Sequence, residues 1–126
     1  MTENEISKIL LDCAIEVHRT LGGPGLLEGV YEEALTWEAT HHGLQVARQV
    51  QLPVRYKGVV LAAPLRLDML VENKVIVECK ATLEYNPIFE VQALTYLRVS
   101  GLRLALVINF GEKLLKHGFH RVVNHL

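Results

Sequence analysis

The sequence predicts one α/β domain spanning residues 1–126, a mixed central sheet flanked by helices in the order α, α, β, β, β, α, β. Three observations carry this. Apolar residues recur at helical spacing as far as about Gly43, and from Leu44 the period changes to two. The dipeptide Asn86-Pro87 then restarts a helical pattern. After Gly101 the run LRLALVINF is nearly all apolar, as expected of a strand buried on both faces and reached by a right-handed crossover.

Taken in order, Thr2 and Glu5 form a T-x-x-E capping box, and Ile6, Ile9, Leu10, Cys13 and Val17 follow at helical spacing, so the first helix runs to about Leu21. The break LGGPG stops it. Leu27, Val30, Tyr31, Ala34, Leu35 and Glu38 mark a second helix ending near Gly43. Leu44, Val46, Val50, Leu52 and Val54 alternate with polar residues as a half-buried strand, and Lys57-Gly58 turns it. A longer strand is expected from about Val59 to Val71, then a polar turn at Glu72, Asn73 and Lys74, then a short strand from Val75 to Lys80. These make an antiparallel meander. Val91, Leu94 and Leu97 continue the third helix to Gly101. In the tail, a turn and an edge strand at about Phe119 to Val123 are expected.

Half of the 126 residues are hydrophobic, enough for one compact core. A net charge of -1 and a pI near 6.6 exclude general attraction to polyanions, so nucleic-acid contact requires a local patch. Cys13 and Cys79 each fall within an apolar pattern and read as free, buried thiols of a reducing compartment. The N-terminus is acidic and amphipathic, and no apolar run approaches the roughly 20 residues that span a bilayer. A cytoplasmic protein without membrane association is expected.

The stretch LRLDMLVENKVIVECKA sets Asp68, Glu78 and Lys80 within apolar runs. Unpartnered buried carboxylates are costly, so they call for a partner, a metal or a task. Glu78 and Lys80 share one face of their strand. If Val71 pairs with Val75 around a three-residue loop, Asp68 lies opposite Glu78; a two-residue loop would send Glu78 to the other face unless a bulge intervened. Two carboxylates on one face supply hard oxygen ligands for Mg²⁺ or Mn²⁺, and a neighbouring ammonium can neutralise charge that develops during phosphodiester hydrolysis. The alternative is a cross-strand ion pair of Lys80 with Glu78 or Asp68.

Gln92 and Tyr96, one helical turn apart in QALTY, project from one face of the third helix, as Glu28 and Tyr31 in GLLEGVY do from the second. Each pair also has an ordinary reading, with both tyrosines as core aromatics and Glu28 as a first-turn carboxylate.

Together, Asp68, Glu78-Cys79-Lys80 and Gln92-x-x-x-Tyr96 resemble the PD-(D/E)XK nuclease superfamily, particularly its RecB-like branch with the QxxxY element. The phrase GLLEGVYEEAL, with Gly25, Glu28 and Tyr31, resembles the small GxxExxY proteins of that superfamily. The similarity runs from about His18 to Arg121 and includes INFG, Ile108 to Gly111. Leu67 stands where the superfamily name puts Pro. The resemblance implies a restriction-endonuclease-like core, αβββαβ, with an extra N-terminal helix. It also implies Mg²⁺ or Mn²⁺ held by Asp68 and Glu78, with Glu28 as a further ligand through water. Lys80 would be the catalytic lysine and Gln92 a catalytic-site residue, with Tyr96 and Tyr31 contacting substrate. The implied substrate is nucleic acid, with DNA favoured over RNA and neither excluded, and a homodimer or protein partner is expected to supply specificity. The competing reading is a non-catalytic nucleic-acid-binding or partner-docking module on the same fold. A purely structural dimer would leave the polar constellation unexplained. The histidines read as surface or packing residues: His41 and His42 diverge on a helix, and His117, His120 and His125 lie in the tail.

Overall fold

The computed structural model describes residues 1–126. Its elements are α1 (Glu3–Thr20), α2 (Glu28–His41), β1 (Val46–Leu52), β2 (Arg55–Tyr56), β3 (Val59–Val60), β4 (Leu65–Val71), β5 (Val75–Lys80), α3 (Ile88–Ser100), β6 (Leu104–Asn109), a 3₁₀ turn (Leu115–Gly118) and β7 (Phe119–Val123). The Thr2–Glu5 capping box closes reciprocally at the start of α1. Asn86 Oδ1 accepts the Ile88 N–H at the start of α3, and Gly101, at φ 76°, ends that helix in the left-handed conformation its lack of Cβ permits.

The strands form one mixed five-stranded sheet in the order β1-β4-β5-β6-β7. Only β5 and β6, joined through α3, run parallel. All of β6 is buried, because helices cover both faces: Leu104, Leu106 and Ile108 pack towards α1 and α2, while Ala105 and Val107 pack towards α3. The same division holds along β5, where Val75, Val77 and Cys79 join the α1/α2 core and Ile76 joins the α3 core. Glu78 and Lys80 have the parity of Ile76, so they belong to the α3 side.

One expected element is different. No continuous strand runs from Val59 to Val71: β2 and β3 make a separate two-stranded hairpin around Lys57-Gly58, and the main-sheet strand starts only at Leu65. Leu52 pairs directly with Leu65, and the residues flanking that pair are Pro53 and Pro64. Neither proline can donate to a ladder, so both strands stop there and the chain between them makes its own excursion.

A second departure lies within the sheet. The β1–β4 ladder pairs Arg48 with Met69 and Val50 with Leu67, but Gln49 and Asp68 between them are unpaired. Across this level both strands exchange faces: Val46, Met69 and Val71 pack with the α1/α2 core, whereas Val50, Leu52 and Leu67 pack with the α3 core. Gln49 sits at φ 51°, a left-handed conformation that turns the strand over.

Candidate functional site

The β4–β5 hairpin carries the central question of register. Val71 pairs with Val75 around Glu72, Asn73 and Lys74; Glu72 and Asn73 both have φ 53°, and the Lys74 N–H closes the turn on Val71 O at 3.0 Å. The ladder continues through Leu70–Ile76 to Met69–Val77 and then ends. The next level holds Asp68 and Glu78. There a side chain replaces the backbone acceptor: Asp68 Oδ2 accepts the Cys79 N–H at 2.9 Å.

Glu78 is 7% exposed and its Oε1 has no hydrogen-bond partner. Burial first, and then the neighbouring Asp68 carboxylate, push its carboxyl up to about 9, with the Lys80 ammonium opposing. Burial and the adjacent carboxylate thus favour the protonated form of Glu78. Lys80, half-buried, makes no ion pair with either carboxylate; its Nζ lies 4.5 Å from the centroid of the Phe89 ring on α3. Tyr96, also on α3 and half-buried, has its hydroxyl pKa raised by burial and by the charges of Glu78 and Asp68. Gln92, one turn earlier, is exposed.

Glu28 is the first residue of α2 and is exposed. Burial and then the carboxylates of Asp68, Glu32, Glu78 and Glu28 raise the pKa of the buried Cys79 thiol. Tyr31 offers no surface to a substrate. It is fully buried and stacked on Phe110 with centroids 4.7 Å apart, and its hydroxyl donates to Gly23 O at 2.7 Å while accepting the Leu26 N–H. Its place is that of a core aromatic fixing the loop that leads into Glu28. The structure thus brings Asp68 and Glu78 to one level, sets Lys80 over Phe89, leaves Tyr96 half-buried on α3 and Gln92 and Glu28 exposed, and assigns Tyr31 to the core.

Three supporting groups had no role assigned from sequence, although Asn109 and Gly111 lie within the INFG phrase. Asn109 Oδ1 accepts the Thr82 and Gly111 N–H groups and its Nδ2 donates to Thr82 O, tying the end of β6 to the residues just beyond Lys80. A Cβ on Gly111 would overlap the Thr82 carbonyl. The signal was an amide closing a run of buried apolar residues, a place where a polar side chain requires partners. Phe89 under Lys80 and the Glu32–Arg48–Gln49 cluster have no sequence signal beyond ordinary helix and strand positions. The largest concavity, about 560 Å³, lies elsewhere, between the end of α1 and the 3₁₀ turn; His18, Arg19, Gly22, Gly23, Lys113 and Lys116 line it with three apolar side chains.

The donor set fits a hard divalent cation. Two carboxylates share a level, one with a buried oxygen lacking any partner, and no third His, Cys, Asp or Glu completes a closed cage. Mg²⁺ commonly takes only one or two protein carboxylates and keeps its waters.

A mixed sheet flanked by helices, with two carboxylates where an antiparallel hairpin splays apart, defines a restriction-endonuclease-like α/β fold. The family model of the PD-(D/E)XK nuclease superfamily matches residues 4–122, and the chain belongs to that superfamily. No curated protein and no solved structure matches it. Membership points to a nucleic-acid substrate and to divalent-metal chemistry, and no helix is long and apolar enough to cross a membrane.

Proposed function

We propose that this protein is a metal-dependent nuclease that hydrolyses nucleic-acid phosphodiesters, DNA in preference to RNA, and that it belongs to the GxxExxY group within the QxxxY branch. The observation that carries this reading is the buried Glu78 carboxyl beside Asp68, with its Oε1 left without a hydrogen-bond partner. With both groups ionised the pair is unfavourable unless a cation completes it.

Asp68 and Glu78 would hold Mg²⁺ or Mn²⁺, with Glu28 reaching it through water. When bound, the ion supplies positive charge to the phosphate oxygens. Glu78 must lose its proton to bind, and an approaching cation favours that loss. Lys80, held by its contact with Phe89 rather than neutralised by a carboxylate, keeps its charge available for the negative charge that builds on phosphate oxygens in the transition state. Tyr96, whose hydroxyl feels the charges of Glu78 and Asp68, would contact substrate, and exposed Gln92 would position it. Sequence preference would come from a second copy or a protein partner, and the site of action would be the cytoplasm.

The test is cleavage of labelled single- and double-stranded DNA and RNA with Mg²⁺ and with Mn²⁺, by wild type and by Lys80→Ala and Glu78→Gln. Loss of cleavage in both variants is the expected result. A metal-loaded wild type inactive on every substrate would favour a binding or docking module instead, and cleavage unchanged in both variants would expose a contaminating nuclease.

A further inference from the structure

The Glu32 carboxylate on α2 is 6% exposed and is met by two consecutive residues of β1. Arg48 donates to Oε2 from Nε at 3.0 Å and from Nη2 at 2.8 Å, while Gln49 Nε2 lies 3.1 Å from Oε2 and 3.2 Å from Oε1. Consecutive residues of a regular strand point to opposite faces. Arg48 and Gln49 can reach one carboxylate only because the backbone at Gln49 is turned over, at φ 51°. An L residue other than glycine resists that conformation, so something must hold it. The carboxylate is that hold.

The consequence crosses to the next strand. Gln49 and Asp68 occupy the single unpaired level of the β1–β4 ladder, and it is there that both strands exchange faces. Released from the ladder, Asp68 turns its carboxylate onto the Cys79 N–H at the level of Glu78. Glu32 also follows Glu28 by one helical turn, so the same clamp ties the helix carrying Glu28 to the strand level carrying Asp68.

We propose that Glu32, by holding Gln49 in its left-handed conformation, is a positioning residue that sets the Asp68 carboxylate against the end of β5 and fixes α2, with Glu28, beside it. Its consequence for metal binding rests on the nuclease reading; the geometric claim does not.

The experiment compares Gln49→Ala and Gln49→Gly, which both remove the amide but differ in tolerance of positive φ, together with the near-isosteric Glu32→Gln. Two quantities are measured on the full chain: hydrogen exchange of the Cys79 amide without metal, and Mn²⁺ affinity. In Gln49→Ala the Cys79 amide should exchange about tenfold faster while the Val77 amide is unchanged, since the opening is local. Mn²⁺ affinity should fall about tenfold in Gln49→Ala and in Glu32→Gln, as expected for an outer-shell group, and stay within about threefold in Gln49→Gly. Wild-type Cys79 exchange in Gln49→Ala overturns the proposal, and so does equal loss in the Ala and Gly variants, which would remove the conformational route. If wild type binds no Mn²⁺ but Cys79 exchange separates the Ala and Gly variants as stated, the positioning role stands and the metal reading falls.

Discussion

Asp68 Oδ2 accepts the backbone N–H of Cys79 at 2.9 Å, one level past the last paired residues of the β4–β5 hairpin. A carboxylate here does two things, satisfying a buried strand amide and adding negative charge beside Glu78. Substitutions should separate them. Asp68→Asn keeps an acceptor for Cys79 and should unfold near the wild-type denaturant midpoint. Asp68→Ala orphans that N–H and should lose about 1–3 kcal/mol. Equal destabilisation by both would contradict the hydrogen-bonding role.

The same pair predicts metal linkage. Millimolar Mg²⁺ or Mn²⁺ should raise the melting temperature of wild type, because a ligand bound only by the folded state stabilises it by mass action. Asp68→Asn should abolish the increase. Calorimetry that finds the same metal response in both proteins would remove the cation from this site.

Stability should depend on pH in a direction opposite to most carboxylates. Glu78 is raised to about 9 in the folded chain, against an ordinary value of 4.5. Between these values the folded state binds more protons at this group than the unfolded state, so the contribution is complete below the ordinary value and is lost as pH rises towards about 9. For one proton the slope approaches about 1.4 kcal/mol per pH unit. Urea unfolding of metal-free protein from pH 5 to pH 9 should show stability falling, and Glu78→Gln should flatten the slope. Metal affinity should rise over the same interval, since binding displaces the proton.

Hairpin register was only half legible: parity places Glu78 and Lys80 on one face, but a three-residue and a two-residue loop stayed open until the Val71–Val75 pair chose the former. The alternation of Val46, Val50 and Leu52 misleads, since these residues share parity yet pack on opposite faces. Arg48, a charge where the apolar series should continue, is the trace of that inversion, and its meaning depends on Glu32, distant in sequence. Proline placement explains the broken strand: Pro53 and Pro64 were visible, but only their pairing across Leu52 and Leu65 shows that they bracket an excursion. Tyr31 was ambiguous because helical spacing cannot tell a tyrosine that lines a site from one whose hydroxyl holds a loop.

Gly111→Ala should be strongly destabilising despite its small volume change. Its Cβ would enter the space of the Thr82 carbonyl, which Asn109 fixes from the other side. Relief requires moving backbone just past Lys80, so overpacking here should cost at least the usual ~1–3 kcal/mol. A melting temperature matching wild type would show that this junction yields more easily than its hydrogen bonds imply.

Lys80 offers the most discriminating test of catalysis, because its stem and its charge have separable neighbours. The ammonium lies over the Phe89 ring, and neither carboxylate neutralises it. Lys80→Met keeps an unbranched stem against Phe89 while deleting the charge. The lost cation–π contact should cost only about 0.5–1 kcal/mol of stability. Mn²⁺ affinity should not fall, since Lys80 is no ligand and its charge opposes the cation. If the charge acts mainly in the transition state, kcat should drop by about 10²–10³ with KM little changed. Lys80→Arg, with a delocalised charge on a longer planar head, should restore part of the loss. A KM increase at unchanged kcat would instead make Lys80 a substrate-binding residue, and Lys80→Met cleaving at the wild-type rate would remove it from the chemistry altogether.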